Sequence, residues 1–201
     1  MTDYATSRRT GVGAGRSRPT ISTAVLGMLI LVASEGTLFL ILIASYYYLR
    51  FSSSVWPPAG DEKPAVVVPL IMLAVLVSTS APMYLVSHAA RAGSLAVARW
   101  CLLLALVVQS GYFAYEVHDY HDQLQRLDIT HDAYGSIYYV LLGADHGHVL
   151  LGILFNVWLL GKLAGGLTGY RVRAARAIAW YWYAVNALTV LVIGTLLSAR
   201  L

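Results

Sequence analysis

Charge is scarce in this chain. Only 12% of its 201 residues are charged, and 58% are hydrophobic. A soluble domain carries about twice that charge, so the soluble globular class is excluded and an integral membrane protein is implied. Cysteine is nearly absent. With Cys101 alone there is no internal disulfide and no thiolate metal site, and Cys101 reads as a small apolar packing residue. No phosphate-binding loop, no nucleophile–base pair and no internal repeat is recognisable. Two axial histidines on facing helices are needed for a b-type haem, and only one apolar segment carries candidate buried histidines.

What the sequence does have is long apolar runs. Five are spaced along the chain, at about 21–49, 66–90, 96–115, 134–163 and 174–199. Each is long enough to cross a bilayer as a helix at about 1.5 Å per residue. The fold class expected is an all-α, polytopic bundle of five transmembrane helices. Residues 1–20, rich in Gly, Ser, Thr and Arg, read as a flexible basic tail. Ser7-Arg8-Arg9 resembles the start of a twin-arginine export signal, but the run behind it is far too long for a signal core. It is expected to be a retained first helix. Turn signals separate the runs at Trp56-Pro57-Pro58-Ala59-Gly60, Arg91-Ala92-Gly93 and Gly165-Gly166.

Charge placement gives an expected orientation. With the N-terminus inside and the C-terminus outside, the inner side holds Arg8, Arg9, Arg16, Arg18, Arg91, Arg99, Lys162, Arg171, Arg173 and Arg176, ten of the 14 basic residues. The outer side collects Asp61, Glu62, Glu116, Asp119, Asp122, Asp128 and Asp132. The net charge of +4 is thus an orientation signal and needs no nucleic-acid partner. Tyr46, Tyr47, Tyr48, Trp56, Trp100 and the run from Trp180 to Tyr183 fall near span ends, where an interfacial aromatic belt is expected.

Two polar features interrupt the apolar runs, and a third lies just outside the third run. Glu35 is the only charged side chain in the first. An isolated carboxylate at that depth costs a few kcal/mol or more, so it needs a partner and marks either a packing lock or a functional site. The fourth run carries Asp145, His146 and His148 in GADHGHVLLG (143–152). On a helix, Asp145 and His148 share a side and His146 points elsewhere. His148 or His146 is the expected partner of Glu35, by similar depth. Gly143 and Gly147 form a small-xxx-small pair for close helix approach, and Asn156 offers an interhelical hydrogen bond. The segment EVHDYHD (116–122) has His118 and His121 at i, i+3. That spacing makes them weak candidate ligands for a divalent metal. The favoured reading is a solvated acidic loop with no metal. His88 and His131 have ordinary interface explanations.

Taken together, these residues resemble subunit III of haem–copper terminal oxidases. SEGTLFLILIASYYYLR (34–50) matches the family signature at Ser34, Glu35, Phe39, Tyr46 and Arg50. Trp56-Pro57-Pro58 with Gly60 looks like its Trp-Pro-Pro-x-Gly turn. Ala114-Tyr115-Glu116, Gly135-Ser136, His148-Val149 with Gly152, and Tyr181-Trp182 add weaker matches. The chain departs from the pattern in several places. Asp145 and His146 stand where the family has a His and a Gly, Tyr183 and Asn186 where it has a His and an Asp, and Phe113 where it has a Gln.

The resemblance implies the short, five-helix form of the family. It implies a non-catalytic subunit that carries no cofactor of its own and has no catalytic residue. Its expected partners are oxidase subunit I above all, subunit II, other respiratory subunits and membrane lipid. Haem and copper are expected in those catalytic partners. The role implied is to stabilise subunit I and support proton uptake during oxygen reduction, with bound phospholipid. The location expected is a bacterial plasma membrane. Competing readings are an accessory subunit of a nitric oxide reductase-like complex, and a free-standing proton-coupled transporter using Glu35 and Asp145.

Overall fold

The structure is a computed structural model that describes residues 23–58, 64–124 and 132–200. The expected tail at 1–20 lies outside the described residues, as do Gly60, Asp61, Glu62, Lys63, Arg126, Asp128 and His131. Among the described residues there are helices and no strands. These are α1 (Thr23–Ser52), α2 (Val67–Ser78), α3 (Ser80–Arg91), α4 (Leu95–Leu124), α5 (Ala133–Ala164) and α6 (Gly169–Leu197), closed by a 3-10 turn at Ser198–Arg200. They make five candidate membrane crossings, with α2 and α3 sharing one.

The second crossing is broken at Thr79, which the apolar pattern did not reveal. Pro82 has no N–H for the carbonyl of Ser78 and its ring crowds that turn. At the same turn the Thr79 N–H bonds back to the Leu76 carbonyl at 3.0 Å, a 3-10 contact. The break presents hydroxyls to α6: Trp182 donates to Thr79 Oγ1 at 2.8 Å, and Asn186 donates to Ser80 Oγ at 2.7 Å.

Helix ends follow local chemistry. Asp132 caps α5 by accepting from the Gly135 N–H at 2.7 Å, and Thr168 caps α6 by accepting from Arg171. The other end of α5 is closed from a neighbour. Arg99 of α4 donates to the carbonyls of Leu163 and Ala164 at 2.6–3.1 Å. A cation there satisfies otherwise orphan acceptors and opposes the helix dipole.

α6 is central, touching α1, α2, α3 and α5, whereas among the described residues α1 touches the helices α5 and α6 alone. Only 6% of the apolar window of α1 is buried, against 44% for α6, so α1 forms an edge of the bundle. One apolar cluster gathers around Trp182, Leu102, Val149 and Leu159, with Cys101 packed against it. A second gathers around Phe39, Tyr46, Tyr134, Leu141 and Val192.

Two expectations change here. Tyr46, Tyr181 and Trp182 are buried inside the bundle and are not belt residues, while Tyr48, Trp100 and Trp180 are exposed. Helical rotation by about 100° per residue divides such a cluster between lipid and core. The helix of the third run does not stop near residue 115, since α4 continues to Leu124. EVHDYHD is therefore helical and not a loop, because a helix goes on for as long as its backbone bonds are made, beyond the point where apolar side chains stop.

Candidate functional site

The site is built around one turn of α5. The side chains of Asp145, His146 and His148 leave that turn toward three different helices. His148 faces α1, with Nε2 2.7 Å from Glu35 Oε2. Its other nitrogen, Nδ1, lies 2.6 Å from the Ala144 carbonyl. A carbonyl only accepts, so Nδ1 carries a hydrogen, and the ring is held with Nε2 toward the acid. Phe39 stands edge-on to the ring at 4.9 Å, and Tyr181 donates to the His148 carbonyl at 3.3 Å. The Glu35 and His148 side chains remain 24% and 15% exposed at the rim of α1 and α5.

His146 faces α4. Its Nδ1 lies 2.7 Å from the Leu142 carbonyl, and Nε2 lies 3.4 Å from Glu116 Oε2. These two side chains are only 10% and 11% exposed. The rings of Tyr120 and Phe113 stand around His146, at 5.4 and 6.5 Å between centroids. Asp145 faces α6 and is buried, with Oδ1 2.8 Å from Thr189 Oγ1. Asn156, about three turns beyond Asp145 on α5, donates to Gln109 Oε1 of α4 at 2.9 Å, and both amides are buried.

The family pattern of cytochrome c oxidase subunit III matches residues 10–196. The chain belongs to the cytochrome c oxidase subunit III family. It is 28% identical to cytochrome c oxidase subunit 3 of Gallus gallus over 185 residues, 86% of this chain and 68% of that protein. It is 27% identical to the Coturnix japonica protein over the same shares, and 26% identical to that of Strongylocentrotus purpuratus over 80% of this chain and 64% of that one.

In this subunit III chain Glu35 meets His148 and not His146, which takes Glu116 instead. Glu116 is the acid that residue counting missed. Read along the chain it falls among the outer acids, yet α4 continues through it and holds it inside the bundle, where it is buried. Its position one residue beyond an apolar stretch was the available signal. Gln109 and Thr189 were also missed, although each is a polar residue in mid-span.

The glycine pair behaves unevenly. A side chain at Gly143 would come within 3.1 Å of the Tyr120 hydroxyl, while Gly147 has open space around it. The tightest contact is at Gly152, where an added Cβ would lie 2.6 Å from the Trp182 ring. His118 pairs along its own helix with Asp122 at 3.5 Å, and both side chains are exposed. Among the described residues no three His, Cys, Asp or Glu side chains converge as a metal-binding group.

Proposed function

We propose that this chain acts as the non-catalytic third subunit of a proton-translocating cytochrome c oxidase. It lies in a bacterial plasma membrane with its N-terminus inside. It packs on subunit I, with subunit II and other respiratory subunits in the same assembly. Oxygen reduction happens at haem and copper in those partners, and this chain carries no electrons. Its part is to hold the catalytic subunit in its active form and to support proton delivery to it.

The observation that carries this reading is the Glu35–His148 pair. A carboxylate and an imidazole 2.7 Å apart sit in mid-span at a helix edge where the bundle is open. Exposing such a pair to lipid tails is costly. A neighbouring protein surface that covers α1 removes the cost and makes use of the pair. Positively charged residues gathered at one set of helix ends support the orientation.

One acyl chain of a phospholipid is the occupant proposed for a groove of about 470 Å³ between α1 and α6. Its walls include Met28, Leu29, Val32 and Trp180, and Arg176 offers a cation to a headgroup phosphate.

Purification in mild detergent tests the function. The expected result is co-purification with haem-bearing subunits that reduce oxygen. An isolated, functional oligomer without haem would overturn the reading, and turnover of nitric oxide in place of oxygen would replace it with the reductase reading.

A further inference from the structure

His146 has a constraint that its protonation must satisfy. Nδ1 lies 2.7 Å from the Leu142 carbonyl, so Nδ1 carries a hydrogen. Nε2 is buried without a hydrogen-bond partner and points at Glu116 Oε2, 3.4 Å away. If both facing atoms were bare, a buried carboxylate would lie against a nitrogen lone pair. If both were protonated, the facing acid would give the buried imidazolium no counter-charge and leave it only Asp145 on its own helix. Both are costly in a low-dielectric interior. One shared proton is the state that avoids both costs, whether written as Glu-H with neutral His or as Glu⁻ with HisH⁺.

A polar seam leads from this pair to the end of α4. Glu116, Asp119 and Gln123 follow at i, i+3 and i+7, one side of the helix. Gln123 Nε2 donates to Asp119 Oδ2. Across the seam, Tyr138 of α5 lies within electrostatic reach of Asp119, Glu116 and Gln123. The seam thus runs between α4 and α5 toward water at the end where these two helices are joined.

We propose that Glu116 and His146 form a proton-binding site that exchanges with water through Asp119, Tyr138 and Gln123. The proton comes from water at the α4–α5 end and returns there, and no bond between heavy atoms changes. The surrounding titratable groups are Tyr112 and Tyr120 on α4, and Tyr139, Asp145 and His148 on α5. Glu35 of α1 is engaged by His148. α6 contributes the neutral Thr189 against Asp145, α2 carries no charged residue, and the His88 and Arg91 of α3 lie at its opposite end. This site is separate from Glu35–His148, which opens sideways between α1 and α5, and it does not depend on the oxidase reading.

The test is infrared difference spectroscopy on the chain in native-membrane nanodiscs, with whatever partners it retains. Spectra at about pH 3 and about pH 9 bracket the ordinary Glu and His values. The expected result is a change in the carboxylic carbonyl region that is missing from E116Q. In D119N the hydrogen–deuterium exchange of that band slows by about tenfold or more, the order expected when a positioned proton-transfer group is lost. H118N, exposed and off the seam, exchanges like the wild type. Superimposable wild-type and E116Q spectra would overturn the site, and unchanged exchange in D119N would overturn the path. Should E116Q fail to fold, ¹⁵N spectra of histidine-labelled wild-type protein decide. A protonated Nδ1 and a pH-responsive Nε2 at His146 support the site, and a bare Nδ1 or an unresponsive Nε2 overturns it.

Discussion

Glu35 and His148 are ordinary residues in an unusual solvent. In water an exposed ion pair contributes little. At a helix rim facing a partner or lipid, each becomes the other's side-chain partner, at 2.7 Å. Removing one partner leaves the other unsatisfied, so E35Q is expected to lower the turnover of the complex and to weaken its hold on this chain. Unchanged assembly together with unchanged turnover in E35Q would remove the functional role of the pair. Replacing both residues with leucine leaves no orphan polar group. The double variant E35L/H148L is therefore expected to recover thermal stability in a melt of the complex without recovering turnover. A merely structural pair would recover both. Gly152 makes a different prediction. A methyl group there would press on the rigid Trp182 ring, and overpacking of this kind costs about 1–3 kcal/mol. G152A is expected to lower the melting temperature. The same change in a W182L background is expected to cost less, because the two positions touch and their effects do not add.

At the scale of the element, the helices are closed by contacts from other helices as much as by their own caps. Arg99 makes three hydrogen bonds to the last carbonyls of α5. Losing them costs about 1–3 kcal/mol by the usual value of a charged hydrogen bond. R99M is expected to show faster hydrogen exchange in the last turn of α5, while R99K keeps part of the protection because a cation remains near the dipole. The broken second crossing works in the other direction. Its Thr79 and Ser80 hydroxyls receive Trp182 and Asn186 of α6, so polar groups released by the break become interhelical contacts. Such contacts in a bilayer average below about 1 kcal/mol each, which makes them devices of register more than of stability.

The whole molecule is an asymmetric bundle with α6 at its centre and α1 at its edge. That asymmetry places the Glu35–His148 pair at the rim and the Glu116–His146 pair inside. It also leaves a groove between α1 and α6 with Arg176 beside it. R176A is expected to reduce the phospholipid retained per chain, read by mass spectrometry of the delipidated complex, with little change in fold because Arg176 is exposed. Equal lipid retention in both proteins would remove the lipid assignment from this groove.

The sequence by itself determined the class, the five crossings and the family, because each rests on runs of apolar residues and on short motifs read along the chain. It also singled out Glu35, Asp145 and His148, because a polar residue within an apolar run is conspicuous without any structure. Only the tertiary structure decided which acid meets which histidine. That choice depends on how α4 and α5 are staggered and on α4 continuing past its apolar stretch, which brings Glu116 inside. Hydropathy reports where a chain would rather avoid water. It does not report where helical hydrogen bonds stop or which side of a helix faces a neighbour, and those two facts set the site.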